Sequence, residues 1–264
     1  MKVRVISAIA ALCVFVPFIL LGGTYFMLFI WLLGLIGMQE FCSMMKLNYQ
    51  SYIGFISSLG LTAVLIPHYY WPSWVTTGMT QNVLYISMVV LMTITVFDPE
   101  RFNIEKAAVL VLAMFYLGLG FQTIIKMRDT GLSSLMFLFA IVWATDIGAY
   151  CVGRAIGKQA LAPKISPNKT IEGAFGGTII ALIVGIIYLY TVQPPIAINQ
   201  TNWFLIVAVS FIGQFGDLVE SAMKRHFQVK DSGRLIPGHG GILDRFDSTL
   251  FASIILMLWV NFTR

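Results

Sequence analysis

Across 264 residues, 58% of the side chains are hydrophobic and only 11% are charged, with a mean hydropathy of +0.83. No water-soluble domain of this length hides that much apolar surface, so the composition excludes a soluble enzyme and indicates a polytopic membrane protein. The formal charge of +5 comes from few charges and describes loops, so no nucleic-acid partner is expected.

A membrane-spanning helix needs about 20 mostly apolar residues. Nine runs qualify in chain order: 3–21, 24–44, 52–70, 81–97, 105–125, 132–153, 173–192, 203–223 and 246–262. The first has the charged start and apolar stretch of a signal peptide, but no small-residue cleavage site follows, so an uncleaved first helix is expected. The fourth is short, and the ninth grows out of a polar block. Gly22-Gly23, Pro67 and Pro194-Pro195 punctuate the joints. Cys13, Cys42 and Cys151 are scattered through apolar runs, which argues against a disulfide framework or a metal site. There is no internal repeat and no lipidation signature. The expected fold is therefore all-α: a polytopic helix bundle of about nine transmembrane helices in a single membrane domain, 1–264. Residues 1–130 act mainly as scaffold and lipid-facing spans, and 143–248 form the polar, catalytic region.

Lys and Arg set the orientation. With nine spans and the N-terminus inside, 14 of the 17 basic residues fall inside, and Lys126, Arg128 and Arg264 outside. The N-terminus is thus expected in the cytoplasm and the C-terminus outside. The two richest polar loops, 154–172 and 224–245, then meet the cytoplasmic face.

Ionisable groups at membrane depth are costly and point to function. On the eighth run, Asp217, Glu220, Ser221 and Lys224 share one helical face. They suit either an internal salt-bridge ladder, since Glu220 and Lys224 are an i, i+4 pair, or a stripe in which Asp217 faces a cation and Lys224 a phosphate. Asp244 and Asp247 stand three apart at the start of the ninth run. Asp244 also suits a helix cap, which leaves the rest of the Asp-Arg-x-Asp cluster unexplained. A hard cation such as Mg²⁺ is usually held by one or two carboxylates with waters and phosphates, a role Asp217, Asp244 and Asp247 could fill. Between them lies Pro237-Gly238-His239-Gly240-Gly241, which fits a phosphate-cradling loop or a tight turn and is no Walker A motif. His239, with no partner at His spacing, reads as a hydrogen-bonding loop residue rather than a metal ligand. Ser166, Asn168, Lys169 and Thr170 offer donors before the seventh run, where they could bind an anion at a helix N-terminus or merely cap it. Gly173, Gly176 and Gly177 fit close helix packing. Asp146, inside the sixth run, needs a partner. Phosphate-type ligands (Lys224, Arg225, Lys230, Arg234, Arg245) beside acids suggest an enzyme acting on a metal-bound polyphosphate at the membrane surface.

The order Ser221-x-Met223-Lys224-Arg225, Lys230-Asp231-x-Gly233, Ile236-Pro237-x-His239-Gly240-Gly241-Ile242-x-Asp244-Arg245-Phe246-Asp247 resembles the signature of the phosphatidate cytidylyltransferases, or CDP-diacylglycerol synthases. Asp146-x-Gly148-Ala149-Tyr150 and Ser166-Pro167-x-Lys169-Thr170-x-Glu172-Gly173 also look like blocks of that family. The resemblance implies transfer of the cytidylyl group of CTP to phosphatidate, giving CDP-diacylglycerol and diphosphate, in phospholipid biosynthesis at the cytoplasmic face of a bacterial cell membrane. It implies Lys224, Arg225, Lys230, Asp231 and Arg245 as catalytic residues. Ser166, Asn168, Lys169, Thr170, Glu172, Ser221, Arg234, His239, Gly240 and Gly241 would bind substrate. Asp217, Asp244 and Asp247 would hold Mg²⁺, with Asp146 and Glu220 as further acids. A second, monovalent cation such as K⁺, surrounding membrane lipids and a homodimer are also implied. A transporter would instead scatter its charges near the midplane of two halves. A CTP-dependent polyprenol kinase would move the γ-phosphoryl group, and the D-x-x-D-G-x-x-A-R run of CDP-alcohol phosphotransferases is absent.

Overall fold

The computed structural model describes residues 2–195, 202–233, 235, 238 and 240–263. Among the described residues there are nine α-helices: α1 (Lys2–Leu21), α2 (Gly23–Met44), α3 (Tyr52–Leu65), α4 (Thr77–Phe97), α5 (Ile104–Thr130), α6 (Leu132–Ile156), α7 (Ile171–Val192), α8 (Asn202–His226) and α9 (Leu243–Thr263). Each expected apolar run is a helix. Six of them, α2 and α4 to α8, are long and apolar enough to cross a membrane among the described residues, against the nine expected. The third run falls short because Pro67 stops it. The helix ends at Leu65 and a 3-10 turn, His68–Tyr70, follows. Fourteen residues rise only about 21 Å, less than the roughly 30 Å of a bilayer core. The chain is also not purely helical. In the stretch read as a loop, β1 (Ala160–Ala162) and β2 (Ser166–Thr170) pair antiparallel.

The chain forms two compact units. The first comprises Met1–Lys126 and Asp231–Arg245, the second Met127–Lys230 and Phe246–Arg264. The polar stretch 143–248 is thus divided between them.

In the first unit, α2 buries Phe26, Ile30, Leu33, Gly37, Phe41 and Met44, a three-four spacing that lines one face. Trp31 Nε1 donates to Thr62 Oγ1 at 3.0 Å, tying α2 to α3. Gln122 Nε2 donates to the Val64 carbonyl at 2.6 Å, tying α5 to the end of α3. That bond satisfies a carbonyl in the last turn of α3, which has no helical partner of its own. By contrast, only 17% of the apolar window of α4 is buried; Val83, Ile86 and Val89 on it are exposed, as lipid contact requires.

In the second unit, α6 and α7 meet along glycines. A Cβ on Gly148 would lie 3.0 Å from the Gly177 Cα, and one on Gly177 would lie 2.6 Å from the Thr145 carbonyl oxygen. Close approach of this kind supplies the dispersion contact that helices in lipid rely on. A polar ladder crosses the same helices: Thr145 Oγ1 donates to Ser210 Oγ (2.8 Å), Ser210 Oγ to Thr178 Oγ1 (3.2 Å), and Gln214 Nε2 to Thr178 Oγ1 (3.1 Å). Gly177→Ala is expected to lower stability by about 1–3 kcal/mol, because its methyl meets backbone that cannot rotate away. Gly78→Ala, whose methyl meets only Thr76 Oγ1 at 3.8 Å, serves as the neutral control in a thermal melt in detergent.

Candidate active site

Two polar clusters stand out, one in each unit. That of the second unit joins α6, β2, α8 and α9. Lys169, at the end of β2, forms an ion pair with Asp217 on α8, both side chains being 30% exposed. Ser221, one turn on, donates to Asp217 Oδ1 at 3.3 Å. Lys224 Nζ donates to Glu220 Oε2 at 2.6 Å, and this pair is nearly buried. Asp146 lies within electrostatic reach of Asp217 and Lys169, and Asp247 within reach of Asp217, Glu220 and Asp146. In their charged forms, four carboxylates here face two ammonium groups. By surface area Asp146 is exposed and Asp217 and Asp247 are half-buried, while protein atoms surround most of Asp146 and nearly all of Asp247. Among the described residues, no three His, Cys, Asp or Glu side chains close around one point as a complete metal cage. The carboxylates of Asp217 and Asp247 are hard oxygen donors, the ligand type that Mg²⁺ takes.

The ribbon is held locally. Thr170 caps α7, its Oγ1 accepting from Gly173 N at 3.1 Å, as expected of Thr at this position. Glu172 Oε2 accepts from the backbone N–H groups of Lys158 (3.1 Å) and Gln159 (3.3 Å), closing the ribbon's entry. Ser166 pairs with Ala162 across the ribbon, and Asn168 is exposed beside Lys169.

The cluster of the first unit lies around the start of α9. Asp244 Oδ2 accepts from Ser232 N (2.9 Å), Ser232 Oγ (2.9 Å) and Gly241 N (2.8 Å). Glu40, on α2 and 5% exposed, accepts from Ile242 N at 2.7 Å through Oε1 and from Leu243 N at 2.9 Å through Oε2. Its Oε2 also shares the one Ser232 hydroxyl hydrogen with Asp244 Oδ2, each 2.9 Å from Ser232 Oγ. Gly238 and Gly240 have φ of 79° and 84°, left-handed values that only glycine adopts readily, so the turn needs both.

The profile of the Cytidylyltransferase family matches residues 2–263, nearly the whole chain. This chain belongs to the cytidylyltransferase family. Among its similar relatives are proteins named phosphatidate cytidylyltransferase from Staphylococcus haemolyticus (strain JCSC1435) and Staphylococcus aureus (strain COL). Each is 44% identical over 259 residues, covering 97% of this chain and 97% of the relative.

In this cytidylyltransferase the second unit brings together Asp146, Lys169, Asp217, Glu220, Ser221, Lys224 and Asp247. Arg225 and Lys230, at the end of α8 and just beyond it, are exposed, and Arg225 Nη1 donates to the Val229 carbonyl at 3.3 Å. Asp231, Gly240, Gly241, Asp244 and Arg245 belong to the first unit; Asp231 and Arg245 are exposed. Arg234 and His239 lie outside the described residues. The Gly241 N–H, expected to cradle phosphate, donates to Asp244. Glu40 and Ser232 were not among the expected residues. The available signal was an acid inside the apolar run 24–44, where burial demands partners.

Proposed function

We propose that this chain transfers the cytidylyl group of CTP to phosphatidate, releasing diphosphate and forming CDP-diacylglycerol. The observation that carries this assignment is the end-to-end match to the family and to relatives of that name, supported by the mixed acidic and basic cluster. A phosphatidate phosphate oxygen attacks the α-phosphorus of CTP. The bond between the α-phosphorus and the bridging oxygen breaks, and diphosphate leaves. The attacking phosphate is already an anion at neutral pH, so no protein base has to remove a proton. The protein's task is positioning and charge neutralisation. Lys169, Lys224, Arg225 and Lys230 are assigned to phosphate oxygens, as is Arg245 on the 231–245 segment.

Mg²⁺ would be held by Asp217 and Asp247, with Asp146 and Glu220 as further acids, and when bound supplies Lewis-acid stabilisation of phosphate charge. Asp244, grouped with the metal acids in the reading of the sequence, is assigned here to holding its loop. K⁺ as a second cation and pairing of two copies belong to the same proposal and rest on family resemblance. Incubation of purified protein with phosphatidate, Mg²⁺ and CTP labelled at the α-phosphorus is expected to put label into lipid and release diphosphate. Label entering lipid from the γ-position instead, with CDP as co-product, overturns the assignment.

The protein is a multi-pass membrane protein; its bacterial relatives support the cell membrane as its location. We further infer from the Lys and Arg distribution that the N-terminus and both polar loops face the cytoplasm and that the chain crosses nine times, α3 doing so together with the 3-10 turn His68–Tyr70 that extends it. In a variant lacking Cys13, Cys42 and Cys151, a cysteine at Lys164 or Gln228 is expected to react only from the cytoplasmic side, and one at Ser73 only from outside. The opposite labelling refutes the orientation.

A further inference from the structure

We propose that Glu40 is a positioning residue for the transfer reaction, its carboxylate capping α9 from α2 and holding the 231–245 segment in shape. The proposal rests on assigning that segment to substrate handling. A helix start leaves backbone N–H groups without helical partners, and a side chain at the preceding residue usually accepts one of them. Here that residue is Ile242, which has no acceptor. Asp244, in the first turn, is turned back to Ser232 and Gly241. The missing acceptor comes from 202 residues away: Glu40 takes the Ile242 and Leu243 N–H groups and the Ser232 hydroxyl.

Burying a carboxylate is costly unless it is hydrogen-bonded, and three donors beside the positive end of a helix meet that condition. The fit is built in. A Cβ on Gly233 would lie 2.6 Å from Glu40 Oε1, and one on Gly241 would overlap the same carboxylate. Gly233 and Gly241 thus make room for Glu40, which explains these two of the segment's four glycines without any phosphate. The contacts join Ser232 to Ile242–Leu243, and so hold the described residues beside them, Asp231, Gly241 and Asp244.

Glu40→Gln is the discriminating change in the full-length protein in detergent micelles. It keeps shape and one acceptor but turns an amide donor towards backbone N–H donors. If Glu40 were only a tolerated buried acid, the neutral isostere would be as active and at least as stable. The expected result is a kcat about 10²-fold lower in the monodisperse fraction, with a smaller change in KM for CTP. Hydrogen exchange across 231–245 is expected to quicken at least about tenfold, while peptides of α6 and α7 stay unchanged. Ser232→Ala keeps both backbone bonds and is expected to move both readouts the same way by less. It carries the test if Glu40→Gln does not yield monodisperse protein. Wild-type kcat in the variant, or lower kcat with unchanged exchange, overturns the proposal. If the wild-type protein makes no CDP-diacylglycerol, the assigned reaction fails, while the exchange measurement still decides whether Glu40 holds the loop.

Discussion

Asp217→Asn and Asp247→Asn are each expected to lower turnover by about 10²–10³-fold or more while the protein stays folded. The local geometry separates this loss from a loss of stability. Asp217 pairs with Lys169, but both side chains are 30% exposed, and an ion pair that open contributes about 1 kcal/mol or less. Asn at 217 can still accept the hydrogen bond from Ser221. Asp247 has the like-charged Asp217, Glu220 and Asp146 among its neighbours. Asn at 247 keeps the shape of the side chain and removes its repulsion with these three acids, so the protein is expected to stay folded in detergent. Turnover measured across a Mg²⁺ titration, beside thermal melts, checks both points. A destabilised Asp217→Asn protein whose activity returns with Lys169→Gln would show that Asp217 serves only to neutralise the lysine.

Glu220→Gln is expected to do the reverse and cost about 3–5 kcal/mol of stability. It removes the carboxylate that neutralises Lys224, and the pair is nearly buried, with side-chain exposures of 1% and 11%. Adding Lys224→Met should recover most of that loss, since two buried charges replaced together leave neither ion stranded. The double variant also separates two roles for Lys224. Folded but inactive protein assigns its ammonium to phosphate, whereas folded and active protein makes the pair a structural ladder. Thermal melts of the single and double variants, with turnover of the folded fraction, give the answer.

Much of the helical framework was legible because the signal is local. An apolar run long enough to span a bilayer must satisfy its own backbone hydrogen bonds, and a helix does so without help from elsewhere. Pro67 marks a stop that the apolar composition of 52–70 obscured: it ends α3 early. The ribbon Ala160–Thr170 escaped notice because its strands have three and five residues, too short to show a two-residue period. Thr170 as a cap and Glu220–Lys224 as an i, i+4 pair were readable, since both depend on neighbours within one turn.

The sequence by itself determined that the chain is membranous and helical, and that its acids and bases concentrate in the C-terminal half. Composition and local spacing are enough for that. Only the tertiary structure decided that Lys169 meets Asp217, 48 residues away, and that Glu40 meets Ser232, 192 residues away. A buried or half-buried charge must find a partner, but sequence says nothing of which helix will bring it. The choice falls to packing: glycines at 148 and 177 let α6 and α7 approach, and those at 233 and 241 admit the carboxylate of Glu40. Gly173, Gly176 and Gly177 could be read as a packing face, but which neighbour fills the space a glycine leaves is known only from the structure.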